Sequence, residues 1–279
     1  MAAAVVVAAA APLGAGCETA KALWADADKP TASVVGVALQ DFDLEGATLA
    51  FDVEVGNPYG VALPTTGLDL ALSGDGRTFL HASSAGQGAI PARSARVLPV
   101  SARLKFADLL AAFSKVRPGS TLPYAAEIGV SVDAPAVGAI RIPVRKEGEL
   151  PIPTAPDVEV EDVKWSKLSL TEATAEVRVD FRNRNEFPMD LRLMDGALSL
   201  GGTRVAQTRV AEAGSFAAGE ALSLRIPISL RPADLGLAVF RMLSGAEAAY
   251  EFDGGLVAGT PFGDLKAPLR ASGRTPMSR

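Results

Sequence analysis

The chain has 279 residues, 48% of them hydrophobic but only 6% aromatic, with a net charge of −5, so its cores are built from Val, Leu, Ile and Ala. Residues 32–148 hold 11 acidic and 10 basic side chains and residues 157–271 hold 17 and 13, so neither half has the basic excess that binding nucleic acid by counterion release requires. A single Cys excludes an intrachain disulfide, and a single His excludes a multi-histidine metal site.

Residues 2–13, AAAVVVAAAAPL, are apolar and uncharged. As a helix rising about 1.5 Å per residue they would cover about 18 Å of a hydrocarbon layer about 30 Å thick. That is too short to span, and the run reads as the core of a signal peptide over residues 1–16. The following Leu13-Gly14-Ala15-Gly16-Cys17 resembles the lipobox of bacterial lipoproteins, in which the Cys becomes the first residue and takes the lipid. Leu13 stands four places before Cys17, where the lipobox has three, and no Lys or Arg precedes Lys21. Either the start lies upstream or the terminal amine serves alone. The resemblance implies lipidation at Cys17 and a tether over residues 17–31 that holds the protein in the cell envelope, on the periplasmic side of the outer membrane. The other reading is an ordinary secretory signal with a soluble periplasmic or secreted product.

A first domain is expected over residues 32–148. Val35, Val37 and Leu39 alternate as a strand. In Ala47–Asn57, ATLAFDVEVGN, Leu49, Phe51, Val53 and Val55 alternate with Ala50, Asp52 and Glu54. Successive strand side chains point to opposite faces, so this strand has one buried and one wet face. Asn57-Pro58 closes it, because Pro lacks a backbone donor and an Asn side chain bonds its own local backbone. Leu68, Leu70 and Leu72 make the next strand, ended by a hairpin at Ser73-Gly74-Asp75-Gly76. Pro99 assigns the strand Val97–Leu104 to a sheet edge or a bulge. Then the period changes: Phe106, Leu109, Leu110 and Phe113 lie on one face of a helix over residues 106–116, stopped by Pro118-Gly119. A helix of about eleven residues is unstable alone in water, so its apolar face must dock on the sheets. Strands around Tyr124–Val132 and Ala139–Val144 complete the unit.

This pattern is then stated again. Ala173–Asn183, ATAEVRVDFRN, echoes Ala47–Asn57 at an offset of 126 residues. The offset carries Leu72 to Leu198, Gly88 to Gly214, Ala107-Asp108-Leu109 to Ala233-Asp234-Leu235, and Tyr124 to Tyr250; it slips to 125 between Pro143 and Pro268. A period beyond the 20–50 residues of solenoids means a domain duplicated in tandem, here over residues 157–271. Its helix is expected to start at Pro232, to bury Leu235, Val239, Met242 and Leu243, and to stop at Gly245. Between the domains, residues 149–156 carry Pro151, Pro153 and Pro156 and read as an extended, semi-rigid spacer. Residues 272–279 read as a polar tail outside the fold.

An Asn-Pro turn after an alternating strand, a leucine-rich hairpin and one short helix in a β domain resemble the WHy domain of late-embryogenesis-abundant (LEA) type 2 proteins. The family signature includes an Asn-Pro-Asn turn. The first copy has Asn57-Pro58 followed by Tyr59; the second has Asn183-Arg184-Asn185, keeping both Asn residues and losing the Pro. The resemblance implies a mainly β chain: two tandem fibronectin- or immunoglobulin-like antiparallel β-sandwiches, each with one short α-helix. It also implies protection under stress, chiefly drying.

The chain contains no Walker loop, nucleophile elbow or HExxH motif. His81 reads as an exposed or hydrogen-bonded structural residue near a loop. Asp26-x-Asp28 and Asp41-x-Asp43 read as solvated carboxylates, since no EF-hand loop continues either pair. Arg182 and Arg184 read as a wet strand face, or else as a small cationic patch for an anionic headgroup. The expectation is a non-enzymatic protein with no catalytic residues, cofactor or metal, whose partners are the membrane, through its anchor, and envelope proteins or lipids, with no nucleic acid. The competing reading is a periplasmic module that holds an apolar ligand, such as a lipid, between sandwich and helix.

Overall fold

The computed structural model describes residues 29–135, 137–236, 240–241, 243–245 and 247–278. The signal segment, Cys17, Asp26 and Asp28 lie outside them.

The first domain runs β1 (Thr31–Gln40), β2 (Gly46–Asn57), β3 (Leu63–Gly74), β4 (Arg77–Ile90), β5 (Ser94–Lys105), α1 (Phe106–Ala112), β6 (Thr121–Ala134) and β7 (Gly138–Pro151). Its strands form two antiparallel sheets, ordered β1-β2-β5 and β4-β3-β6-β7. The alternation in β2 decides which face closes the core: Leu49, Phe51, Val53 and Val55 are buried while Asp52 and Glu54 face water. Leu68, Leu70 and Leu72 of β3 and Ile128, Val130 and Val132 of β6 supply the opposite wall. Each such side chain contributes about 1.5–3 kcal/mol by leaving water. The hairpin between β3 and β4 turns at Asp75 (φ 46°) and Gly76 (φ 73°), both left-handed, as the twist of paired strands demands. Pro99 sits on β5, which pairs with β2 alone, so no ladder bond is lost.

Helix α1 docks through Phe106 and Leu109, and Phe113 at its C-cap packs edge-on against Phe79 with ring centroids 5.7 Å apart. It is shorter than its apolar period suggests, because Phe113 already has extended backbone angles.

The second domain repeats the order: β8 (Asp157–Leu168), β9 (Ala173–Arg182), β10 (Met189–Leu200), β11 (Thr203–Phe216), β12 (Ala221–Leu230), α2 (Pro232–Leu235), β13 (Glu247–Thr260) and β14 (Gly263–Ser278). Three expectations need correcting in this half. The helix is interrupted, for α2 ends at Gly236 (φ 92°), which occupies the place of Leu110 in the first copy. Glycine tolerates a left-handed backbone that a residue with a Cβ avoids. Helical bonds resume beyond it, from Phe240 N–H to the Gly236 carbonyl at 3.3 Å and from Ser244 N–H to the Phe240 carbonyl at 3.0 Å. Leu243 is buried there, while Val239 and Met242 lie outside the described residues.

The expected tail over 272–279 is instead the end of β14. Residues up to Pro276 pair with β13, and Met277 and Ser278 pair in parallel with Val163 and Lys164 of β8. That seam joins all the strands into one seven-stranded sheet, β11-β10-β13-β14-β8-β9-β12. Thr275 and Met277 are buried, extending the inward set of Leu265, Ala267 and Leu269; the polar average of the segment hid this alternation. Gly148 and Gly273 mark the same point in the two copies, opposite Tyr124 and Tyr250. A Cβ there would meet the tyrosine at 2.7 Å or 2.9 Å, so a larger residue would have to displace either ring.

The third correction concerns the spacer. Residues Glu149 to Pro151 finish β7, and Ile152 is buried, donating its N–H to the Ser120 carbonyl (2.8 Å) and accepting from Gly119 N–H (2.6 Å). The segment is extended, as its prolines require, but it is held in place. Proline bias and an apolar Ile act together here, making the strip straight and giving it a face to bury.

Candidate functional site

Both Asn turns are polar hubs at one end of a sandwich. Asn57 is 3% exposed and donates its amide to the carbonyls of Val61 (2.9 Å), Ile90 (3.1 Å) and Pro91 (2.9 Å), while its Oδ1 accepts from Tyr59 N–H at 2.9 Å. Asn183 repeats the set on Phe187 (2.8 Å), Ala217 (3.1 Å) and Asn185 N–H (2.9 Å). A buried side chain with its donors and acceptor engaged has little left to offer a ligand, and what it does is fix two loops against each other. Pro58, between Asn57 and Tyr59, is half-buried in the first loop.

Asn185 has no counterpart in the first copy, where Tyr59 stands. Its side chain clasps the interdomain strip through both backbone groups of one residue: Oδ1 accepts from Thr154 N–H at 2.9 Å and Nδ2 donates to the Thr154 carbonyl at 3.0 Å. Next to it Glu186 N–H donates to the Gly119 carbonyl at 2.7 Å. Gly119 has φ 90°, and a Cβ there would overlap the Arg184 carbonyl. A second contact joins the domains where Asp43 forms an isolated parallel bridge with Lys266. So the second turn is occupied by the first domain, through loop and linker.

Among the described residues, nothing covers the equivalent end of the first domain. Lys29, Thr31, Gly56, Asn57, Arg93 and Ser94 line a surface cleft of about 870 Å³ there. In the second domain Arg184 is paired with Asp157 at 2.7 Å, and Arg182 lies in a cleft with Asp157, Glu159, Glu161 and Asp180. The cationic patch considered at Arg182 and Arg184 is thus matched by carboxylates.

Among the other sequence candidates, His81 lies within β4 opposite Ala71, exposed, and not near a loop. Asp43 Oδ1 accepts from the N–H groups of Glu45 (2.8 Å) and Gly46 (2.9 Å), closing its own turn. Among the described residues no three His, Cys, Asp or Glu side chains are grouped to hold a metal ion. Sequence reasoning missed Lys29, Arg93 and Thr154. For Arg93 a signal exists: its counterpart at the offset of 126 is Gly219, so one copy keeps a side chain where the other has none. Inside the second domain, Val160, Val177, Val179, Phe181 and Ile226 help line an apolar void of about 20 Å³. That is room for about one water-sized sphere and far short of an acyl chain.

Two tandem, mainly β domains that share an Asn-ended strand and one short helix define the class. The chain matches the family model described as late embryogenesis abundant protein, LEA type 2, over residues 52–148 and again over 178–273, and it belongs to that family. It is 26% identical over 134 residues to the desiccation-related protein PCC27-45 of Craterostigma plantagineum, an alignment covering 48% of this chain and 89% of the relative. To the late embryogenesis abundant protein Lea14-A of Gossypium hirsutum it is 27% identical, again over 48% of this chain and 89% of the relative. The solution structure of the LEA protein At2g46140.1 aligns at 26% identity with a TM-score of 0.40, over 49% of this chain and 81% of that one.

Proposed function

We propose that the protein is a non-enzymatic, stress-related member of the LEA type 2 family that works in the cell envelope, protecting neighbouring macromolecules through the surfaces of its two domains. The observation that carries this reading is the match of both halves to one family whose relatives here are named for desiccation or late embryogenesis. The hydrogen-bonded Asn turns and the isolated, exposed His81 support it, because neither supplies a nucleophile with a base beside it. Inside the second domain the apolar void holds about one water, so an acyl chain has no room there. Lipidation at Cys17 would place the protein on the periplasmic side of its membrane; with several acyl chains, at about 0.8 kcal/mol per buried methylene, the anchor would be firm.

Cells lacking the gene should survive drying and rehydration less well than wild type, and the full chain should restore them. Cys17→Ser should move the protein from the membrane to the soluble fraction or leave it unprocessed, and should weaken rescue. Full rescue by a variant that is still lipid-bound would remove Cys17 from the account, and normal survival of the deletion strain would remove the stress role.

A further inference from the structure

We infer that the open cleft at the entry end of the first domain is a binding site for a phosphate group. Among the described residues it offers two cations, Lys29 and Arg93, and no carboxylate lines it. Both side chains are exposed, and among the described residues neither forms an ion pair, although Arg103, Arg117, Arg141 and Arg145 of the same domain each face a carboxylate. The guanidinium fork and the ammonium, with the hydroxyls of Thr31 and Ser94 on the rim, are the donor set that a tetrahedral oxyanion accepts from.

The internal duplication provides the control. At the offset of 126, Lys29, Thr31, Arg93 and Ser94 become Ala155, Asp157, Gly219 and Glu220. Cations are lost and carboxylates appear at the end that the first domain and linker occupy. Among the described residues, the cations at the first end have no carboxylate beside them.

Arg93 also sits where its backbone disfavours a side chain. Its φ is 49°, and the counterpart Gly219 has φ 75°, the left-handed region that glycine takes without steric penalty. The first copy therefore carries a strained Arg where the second relaxes, a pattern more frequent at functional positions than elsewhere. The rim is preorganised. Arg93 N–H donates to the Tyr59 carbonyl at 2.9 Å, and Asn57 ties Pro91 to the same turn. The floor is Gly56, where a Cβ would come within 2.7 Å of Thr31 Oγ1. A phospholipid headgroup and a free phosphate present the same group to this site, and lipidation at Cys17 is not required for binding.

The test uses the full chain in a Cys17→Ser background, so that acylation is constant across all arms. Inorganic phosphate should shift the amide resonances of Gly56, Arg93 and Ser94, and leave those of Arg182, Gly219 and Glu220 in place. Vesicles containing phosphatidylglycerol should retain more protein than vesicles of phosphatidylcholine if a headgroup is the source; phosphate shifts with equal retention by both would assign the free anion. Arg93→Gly should weaken the response about tenfold or more, the loss of one charge-assisted contact, and should melt no lower than the parent, because it installs the residue the second copy uses. Lys29→Ala should weaken it further. Absence of any localised phosphate shift, or an Arg93→Gly protein that binds phosphate and anionic vesicles like the parent, would overturn the site.

Discussion

In the first domain β7 leaves its sheet at Pro151 and the chain turns into the joint; in the second, β14 continues to Ser278 and zips onto β8. The same position on the first strand of each copy records the outcome. Val163 of β8 is fully buried under that seam, while its counterpart Val37 of β1 is 40% exposed. Both first strands carry the same bulge, between Val34 and Gly36 and between Val160 and Asp162, so the start of each strand is alike. What differs is the demand on the chain that follows. A copy that must lead into another domain gives up its last strand residues to the linker, and a terminal copy spends them on its own sandwich. The helices diverge too: α1 docks as one piece, and α2 breaks at Gly236. Duplication therefore fixes the sandwich, while seams, helices and end surfaces are set by each copy's neighbours.

The largest expected effect tests the docked helix. Phe113→Ala should cost the first domain about 3–5 kcal/mol, the usual range for a buried aromatic truncated to Ala, because Phe113 is 5% exposed and packed on Phe79. Thermal unfolding should show one early transition while the second domain melts as before. A loss below about 1 kcal/mol would mean that α1 rests on the sheets without holding them.

Next comes the seam. A chain ending at Ala271 loses the buried Met277 and Thr275 and the pairing of β14 with β8. The second domain should lose about 2–4 kcal/mol, from one apolar side chain and a few ladder bonds. Denaturant titration with a probe in each domain would register it, and an unchanged midpoint would mean that residues 272–278 add nothing to the fold.

Asn185→Ala should cost less, about 1–3 kcal/mol, since it strips partners from the Thr154 peptide and from Asn183 Oδ1. Its sharper readout is local: amide exchange at Thr154 should speed up and proteases should cut between Ile152 and Pro156. If exchange there is unchanged, the clasp is redundant and the joint rests on the Gly119 loop and the Asp43–Lys266 bridge.

The strands, the tandem plan and the family were legible because alternation and the repeated Asn turn are local signals. Leu49 to Val55 name their own buried face, and the offset of 126 repeats the message. What was illegible depends on partners distant in sequence. The break at Gly236 reads as a tolerated glycine until its φ is known. The polar run 272–278 conceals Thr275 and Met277 because a strand is read by every second residue, not by its average. The Pro-rich strip looked free because its partners, Ser120 and Asn185, approach from opposite sides of it in the chain. The open cleft is a difference between copies, invisible while they are read for likeness.

The smallest expected effect concerns charge at the second turn, where the contrast between the two ends is electrostatic. Arg184 meets Asp157 at 2.7 Å, but the two side chains are 60% and 59% exposed. Water screens such a pair, and ordering two side chains offsets part of its attraction, so the coupling should be at most about 1 kcal/mol. A double-mutant cycle of Arg184→Ala and Asp157→Ala, followed by the melting of the second domain, measures it directly. The same pair should matter more to ligands than to stability. With Asp157 in place the cationic side chains at this end face carboxylates, and phosphate should leave its amide resonances unmoved. Asp157→Ala releases Arg184 and removes one of the four acidic side chains around Arg182, so a weak phosphate response should appear there for the first time. A large coupling energy would show that the joint is organised by this ion pair. A phosphate response at this end in the parent protein would show that the two ends differ in shape but not in the charge they present.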